Sequence, residues 1–448
     1  MDTGKGRSGQ IEEALAKLLI FSLCFPFLLA PPFIPGSLVQ VPEIIFGIYF
    51  FVLARKKKWR AGSFRKWSLL DRGLVVYLMA TGVACICKLD WACWIELIKI
   101  AYLFLLYQVV KVILSDKEDI TPYIKSFING ALVAGLVGIL GWLLSQFHIS
   151  NQFAFPTSVY YPYLGYIGRA VGPAQTPTML SSILATALFL QLSRLRKNSG
   201  WRRHFIFFTI LTALALTFSK TIALFFALLM VWLSIRGSWF RKMVLKIVAL
   251  LMIIFFLLGT HWVLLPEGKA VDHLDNTQGL YVPYPSIGEF GHFDLFETSY
   301  LLYKRAALIA GLQNLPCGTG PGNFRKFLVE NDWGDYPYAQ FYKNNPGEPH
   351  STYFGAFAEM GIGSIALLTL FLIVLHYSYL LINGAFQWRG VISHQALGLG
   401  LQFFCLLAIT TDITNFRHFW FLLALVASVE NKKILWPFGL GSRNGALN

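Results

Sequence analysis

Apolar residues in this chain run together rather than alternating with polar ones. Long apolar stretches, separated by short polar segments, recur from the N-terminal region to about residue 430. A membrane-crossing helix needs about 20 consecutive apolar residues. Twelve stretches approach that requirement, near 14–33, 38–54, 73–88, 92–113, 127–146, 174–193, 205–219, 221–235, 245–264, 361–382, 395–412 and 416–430. The pattern predicts an all-α membrane protein of about 12 transmembrane helices. The first stretch lacks a small-residue cleavage site and is followed by many more, so it reads as a span rather than a leader.

Between the ninth and tenth stretches the pattern changes. Residues 265–360 mix polar and apolar positions over a length too great for a plain linker. Three regions follow: spans 1–9 (1–264), one long loop subdomain (265–360), and spans 10–12 with a tail (361–448). Eleven of the 23 acidic residues fall in the loop, among them Glu267, Asp272, Asp275, Glu330, Asp332 and Asp335. Residues 297–314 predict a helix, with Leu301, Leu302, Ile309 and Leu312 as its apolar stripe and Arg305 on that stripe. A cation on the buried side of a helix should face a pocket or an anion.

Charge orients the spans. Cytoplasmic loops of membrane proteins are rich in Lys and Arg. Loop 55–72 carries eight and loop 194–204 five, and Arg236, Arg241, Lys242 and Lys246 add to them. Lys5, Arg7, Lys432, Lys433 and Arg443 fall on the same side if there are twelve spans. Both termini are therefore expected in the cytoplasm and the long loop outside. The outer side holds only Lys88, Arg169, Lys220, Arg417 and six cations in the long loop. Isolated cations at outer helix ends call for an anionic partner there.

Composition removes other classes. Charged residues are 14% of the chain against roughly 25% in a soluble domain, which excludes a soluble enzyme. Aromatics at 16% suit two membrane–water interfaces. The net charge of +15 sits in short runs between apolar stretches, which argues against nucleic acid as a partner. Of the six cysteines, Cys87 and Cys93 could bridge a short hairpin. No zinc-type spacing, HExxH or DxD cluster occurs, so no metal site is expected; DWGD (332–335) could bind a cation, but reads more simply as a solvated loop.

A few residues could carry chemistry. His350 lies in GEPHSTYFGAFAEMGIG (347–363), where Pro349 and the hydroxyls of Ser351 and Thr352 signal a helix start. A neutral imidazole could accept a proton from a hydroxyl, with Glu348 as an alternative base or an orienter. The plainer reading is a His that only satisfies its loop. Arg169, ahead of the sixth stretch, could grip a phosphate with both arms of its guanidinium, or simply sit at the interface. Lys220 in TFSKT (217–221) marks an outer hairpin tip or a plain turn. Asp412 and Arg417 flank the last turn and could pair with each other, or Arg417 could join a cationic site. Gly318, Gly320 and Gly322 form GxGxG without a strand–helix unit around it, so it is a flexible turn or a place of close backbone approach to a ligand. Glu43 and Glu96 are the nearest to intramembrane charges, and Lys99 could pair with Glu96. A transporter is the competing class. It should show internal repeats and ionisable groups at mid-membrane, and the sequence shows no two-fold repeat. A non-catalytic scaffold for glycan assembly is a third reading.

Taken in order, four segments resemble the O-antigen ligase and polymerase superfamily. PHSTYFGAFAEMGIGSIAL (349–367) resembles its His-(Asn/Ser)…Glu-x-Gly segment and singles out His350, Ser351 and Glu359. NLPCGTGPGNF (314–324) resembles its Pro-x-Gly-x-Gly stretch leading to Phe, preceded by a helix with an Arg, here Arg305. RAVGPAQTPTMLSSILATAL (169–188) resembles its Arg-x-x-Gly…Pro segment, and TFSKTIALFFALL (217–229) its Ser-Arg hairpin. Ser351 stands where Asn is common, Lys220 where Arg is usual, and Ser364 where ligases favour Gly, Thr or Tyr. The resemblance covers roughly 169–430.

It implies a membrane glycosyltransferase of the bacterial inner membrane that acts on the periplasmic face. The donor would be a glycan on polyprenyl (undecaprenyl) diphosphate, and the acceptor lipid A–core for a ligase or a growing glycan for a polymerase. Membrane lipids would surround it. It implies inversion at the anomeric carbon and no metal or other cofactor. His350 becomes the catalytic residue. Arg169 and Arg305, with Lys220 and Arg417, become the diphosphate cations. Glu348, Ser351, Glu359, Asp412 and the three glycines become supporting residues.

Overall fold

The computed structural model describes residues 7–26, 40–55, 67–115, 117, 119–161, 165–174, 176–192, 200–235, 239–266, 287–334, 339–384 and 393–434. Each of the twelve apolar stretches is represented by a helix at or near its expected place. These are α1 (Arg7–Ser22), α2 (Val41–Arg55), α3 (Leu69–Lys88), α4 (Trp91–Ser115), α5 (Thr121–Gln146), α6 (Pro177–Leu192), α7 (Trp201–Leu216), α8 (Thr221–Ile235) and α9 (Trp239–His261). After the loop region come α14 (Ser364–Ile382), α15 (His394–Leu407) and α16 (Arg417–Ile434). The loop region supplies α10 (Ser299–Gln313), α11 (Phe324–Glu330), α12 (Ala339–Asn344) and α13 (Thr352–Met360). Five of the described helical segments are long and apolar enough to cross a membrane: 69–88, 91–115, 121–146, 240–261 and 352–382. Shorter apolar helices lie at 177–192, 221–234, 394–407 and 417–428. Met79, Val83, Ile86, Ile98, Phe255 and Leu372 are all exposed, an outward apolar belt that water would not stabilise. The chain is a mostly helical membrane protein.

Small residues let the helices approach. A Cβ on Gly130 of α5 would lie 2.6 Å from the Phe21 carbonyl oxygen of α1, and one on Gly141 would lie 2.5 Å from the Phe153 Cβ. Close backbone contact of this kind replaces hydrophobic driving force where lipid is the solvent. The start of α3 is fixed by charge. Ser68 and Asp71 form a reciprocal capping box. Asp71 is also fully buried, with Lys111 of α4 at 2.5 Å and the Gln108 amide donating at 2.9 Å. The pair sits at the ends of α3 and α4, not at their middles.

The structure departs from an all-helical reading at two places. Strands β1 (Ala154–Tyr161) and β2 (Gly165–Ala170) form an antiparallel hairpin in which Phe155 pairs with Arg169. Strands β3 (Trp262–Pro266), β4 (Gly288–Phe290) and β5 (Phe293–Glu297) form a small sheet of order β3-β5-β4. Both sequences are short and rich in aromatic and β-branched residues, which favour strands but give too brief a pattern to stand out among apolar runs. Cys87 bonds to Cys317, not to Cys93, which is a buried thiol. Around α10 a separate small core forms from Leu302, Ala306, Phe324, Leu328, Trp333 and Tyr342, among others. The basic residues of 56–66, 194–197 and Arg236, the acids Glu267, Asp272, Asp275 and Asp335, and the tail beyond 434 lie outside the described residues.

Replacing Lys111 by Met strands the Asp71 carboxylate in the core. The expected loss is roughly 3–5 kcal/mol, read as a lowered melting temperature in detergent. Adding Asp71→Asn to that variant should restore most of it.

Candidate functional site

One end of the bundle gathers the α3–α4, α7–α8 and α15–α16 turns, the β1–β2 hairpin and the small core around α10. His350 lies there, just before α13. Its segment is tied down by backbone and hydroxyl contacts to the α15–α16 turn. Thr352 N–H donates to the Ala408 carbonyl at 2.9 Å, and the Ser351 hydroxyl donates to the same oxygen at 3.2 Å. Ser351 also caps α13 by accepting from Phe354 N–H. Thr352 Oγ1 donates to the Thr411 carbonyl and accepts from Ile413 N–H, both at 3.0 Å. Between these anchors His350 takes φ +49°, a left-handed conformation that non-glycine residues adopt at a cost.

The imidazole is half-buried against α10. Its ring centroid lies 4.4 Å from that of Tyr300 and 5.6 Å from that of Tyr303. These tyrosines are three residues apart and so share one helix face, which Lys304 completes one turn beyond Tyr300. Burial, then the charges of Lys304 and Arg325, lower the His350 imidazole to about 4. The ring is neutral at neutral pH, the form that accepts a proton.

Cations from three separate elements lie within electrostatic reach of one another or of the residues that surround it. Arg169 is placed by β2 and donates through Nε to the Thr217 carbonyl at 2.9 Å. Lys220 follows in the α7–α8 turn, where Phe218 holds φ +44°, and its ammonium donates to the Gly259 carbonyl. Partial burial and the neighbouring Arg169 charge lower Lys220 to about 8. Lys304 is buried, with its ammonium 2.5 Å from His261 Nε2, and burial lowers it to about 8 as well. Arg169 also lies within electrostatic reach of Tyr300, the ring that rests on His350.

Arg305 and Arg417 are placed differently. The buried face of α10 is Leu302, Tyr303, Ala306, Ala307 and Ala310, so Arg305 points outward, and Leu312 is exposed. Both guanidinium arms of Arg305 bond Glu297, at 2.6 and 2.8 Å. The expected stripe fails because alanines, not the larger leucines, carry the tight packing. Arg417 pairs with Glu43 of α2, not with Asp412. Asp412 instead accepts from Thr414 N–H and Oγ1 at 3.0 and 2.7 Å, stabilising the α15–α16 turn. Lys99 and Glu96 do pair, at 2.5 Å.

The acidic residues frame a second, smaller space. A cavity of about 70 Å³ is bordered by Glu96, Glu348, Ser351, Glu359 and Asp412. The His350 segment thus stands between cations on one side and carboxylates on the other. Glu348 pairs with Arg325 at 2.9 Å, and partial burial pushes its carboxyl up against that pull. Among the described residues no group of His, Cys, Asp and Glu could hold a metal ion. The glycine turn packs on α13. Gly320 N–H donates to the Glu359 carbonyl at 2.9 Å, and Thr319 N–H to that of Ala358 at 2.8 Å. Gly318 has φ +73°, and a Cβ there would lie 2.4 Å from the Glu359 carbonyl carbon. The close backbone approach is to this helix, so the turn supports the His350 segment from behind.

Residues 205–370 match the family model Wzy_C, described as O-Antigen ligase. That stretch of the chain is similar to the O-antigen ligase family. The matched stretch contains Lys220, His261, Lys304 and His350, while Arg169 and Arg417 lie outside it. No curated protein is a significant match. The match supports, in general terms, a membrane glycosyltransferase that handles glycan and lipid-linked substrates.

Sequence reasoning missed Lys304, His261 and Tyr300. Lys304 adjoins Arg305, and only the alanine face of α10 tells which of the two turns inward.

The lowered lysines give a pH signature. Binding an anion favours their charged forms, so affinity should be level below about pH 8 and fall above it, with proton uptake on binding. Calorimetry with a soluble diphosphate diester, which does not itself titrate near neutrality, would read both. Lys220→Arg should carry the plateau to higher pH.

Proposed function

We propose that this O-antigen ligase relative transfers a glycan from polyprenyl diphosphate to an acceptor hydroxyl at the outer face of the inner membrane, with lipid A–core as the acceptor. The observation that carries this is the meeting of Arg169, Lys220 and Lys304, from three distant segments, beside a neutral His350. A lipid diphosphate leaving group gains negative charge as the sugar C–O bond breaks. Fixed cations in a partly dry site stabilise that charge more in the transition state than in the ground state. Arg169 offers a planar fork for two phosphate oxygens, and the lysines act as point charges.

His350 takes the proton from the acceptor hydroxyl as its oxygen attacks the anomeric carbon. The diphosphate leaves with the bonding electron pair from the opposite face, which inverts that carbon. A base lowered to about 4 is weak in the empty site. A bound diphosphate opposes the charges of Lys304 and Arg325 and so raises the proton affinity of the imidazole. Donor binding thereby prepares the base. The carboxylate-lined cavity beside Ser351 suits the hydroxyls of the acceptor sugar. Arg305 and Arg417, already held by Glu297 and Glu43, act in this reading by shaping the elements that carry the site.

Purified protein given a polyprenyl-diphosphate glycan, with and without lipid A–core, tests the reaction by product size on a gel. A shifted core band that depends on the acceptor is the expected result. A ladder from donor alone would make it a polymerase, and glycan flux into proteoliposomes without transfer would make it a transporter. His350→Ala should cost roughly 10²–10⁴ in rate with donor binding retained. Arg169→Lys should lower rate and donor affinity together.

A further inference from the structure

A larger space lies apart from His350, at the outer ends of α3 and α4. It is a groove of about 550 Å³, within the range of roughly 300–1,000 Å³ common for small-molecule sites. One wall is the α3–α4 turn, with Lys88 and Asp90. The other runs from the end of α10 through the glycine turn to α11, with Gln313, Asn323, Phe327 and Asn331.

The two walls are joined at several points. The Cys87–Cys317 disulfide links residues next to the groove on each side. Lys326 pairs with Asp90 at 3.2 Å, Lys88 donates to the Asn314 side chain at 3.4 Å, and the Asn323 amide donates to Cys93 Sγ at 3.3 Å. The groove is therefore preformed, which lowers the ordering cost of binding.

Its chemistry differs from that of the cationic cluster. Lys88 and Lys326 are balanced by Asp90 and Glu330, so the lining is neutral and attracts neither diphosphate nor polycation. Side-chain amides dominate, each offering both donors and acceptors. The Asn331 Nδ2 is buried and bonds to no atom of the described residues, a donor that costs about 1–3 kcal/mol unless something accepts from it. Phe327 adds one ring, held edge-on to Trp333 with centroids 5.6 Å apart. Paired donors and acceptors with a single aromatic surface and no net charge match a neutral saccharide.

We infer that this stapled groove binds the glycan chain, several sugars away from the reacting carbon. The inference rests on the glycosyl-transfer reading. α11 connects the two places: Arg325 reaches Glu348 beside His350, while the adjacent Lys326 lines the groove. A chain leaving the reacting sugar could pass over this short helix into it. Affinity for long glycans would then come from the groove, and diphosphate capture from the cations.

The test uses full-length protein in nanodiscs and free oligosaccharides cut from the surface polysaccharide of the cells that make it. Saturation-transfer NMR reads binding. Gln313→Trp and Glu330→Trp fill the groove without touching the His350 cluster. They should weaken oligosaccharide binding at least tenfold and raise KM for long-chain donors by a similar factor. KM for a single-repeat donor and the melting temperature should stay unchanged. The double Cys87→Ser/Cys317→Ser variant should weaken oligosaccharide binding as the walls part. Equal binding by wild type and tryptophan variants, or no oligosaccharide binding by wild type, would overturn the groove. Binding that is lost in the variants although wild type transfers nothing would keep the groove and overturn the transfer reading.

Discussion

Positive charge held partly away from water is the constraint around which this molecule is arranged. A buried ammonium is costly unless something answers it. Lys111 is answered by Asp71 and Arg417 by Glu43, and even the outward Arg305 is held by Glu297. Lys304 meets a neutral-capable imidazole, His261, and Lys220 a backbone carbonyl, and both ammonium groups are lowered to about 8. The first set builds the fold. In the proposed reading the second is left to attract an anion, and its Lys304 lies within electrostatic reach of His350.

The same contrast organises the backbone. His350 and Phe218 both take left-handed conformations, in the two loops that carry His350 and Lys220. Neither residue is a glycine, so each conformation is maintained by its surroundings. For His350 those surroundings are the hydrogen bonds to the α15–α16 turn and the glycine turn packed behind α13. Support comes from these two elements, and the ring itself rests on Tyr300.

Much of this was legible from the sequence. The helices followed from the apolar runs, because lipid-facing and core-facing surfaces are both apolar and leave a strong signal. His350, Arg169 and Lys220 stood out as polar exceptions at predicted outer ends; Arg169 lies within electrostatic reach of Lys220 and of Tyr300, the ring that rests on His350. Arg305 was misplaced because periodicity was counted on leucines, whereas the tight face of α10 uses alanines. The partner of Arg417 was missed because Glu43 is 374 residues away. The β1–β2 hairpin was hidden because its strands are too short to stand out among apolar runs. Pairings of this kind depend on tertiary neighbours, which no local pattern encodes.

The Cys87–Cys317 bond also changes the connectivity of the molecule. It closes a covalent ring across a sequence separation of 230, and Arg169, Lys220, His261 and Lys304 all lie on that ring. A single backbone cut between its two cysteines leaves one covalent molecule. The ring cannot close until the turn after α10 has been made, when all of its cationic residues already exist in the chain. Once closed, it limits how far the unfolded chain can spread, an effect that grows with loop length. Four site residues therefore travel together, on a loop that has no free end.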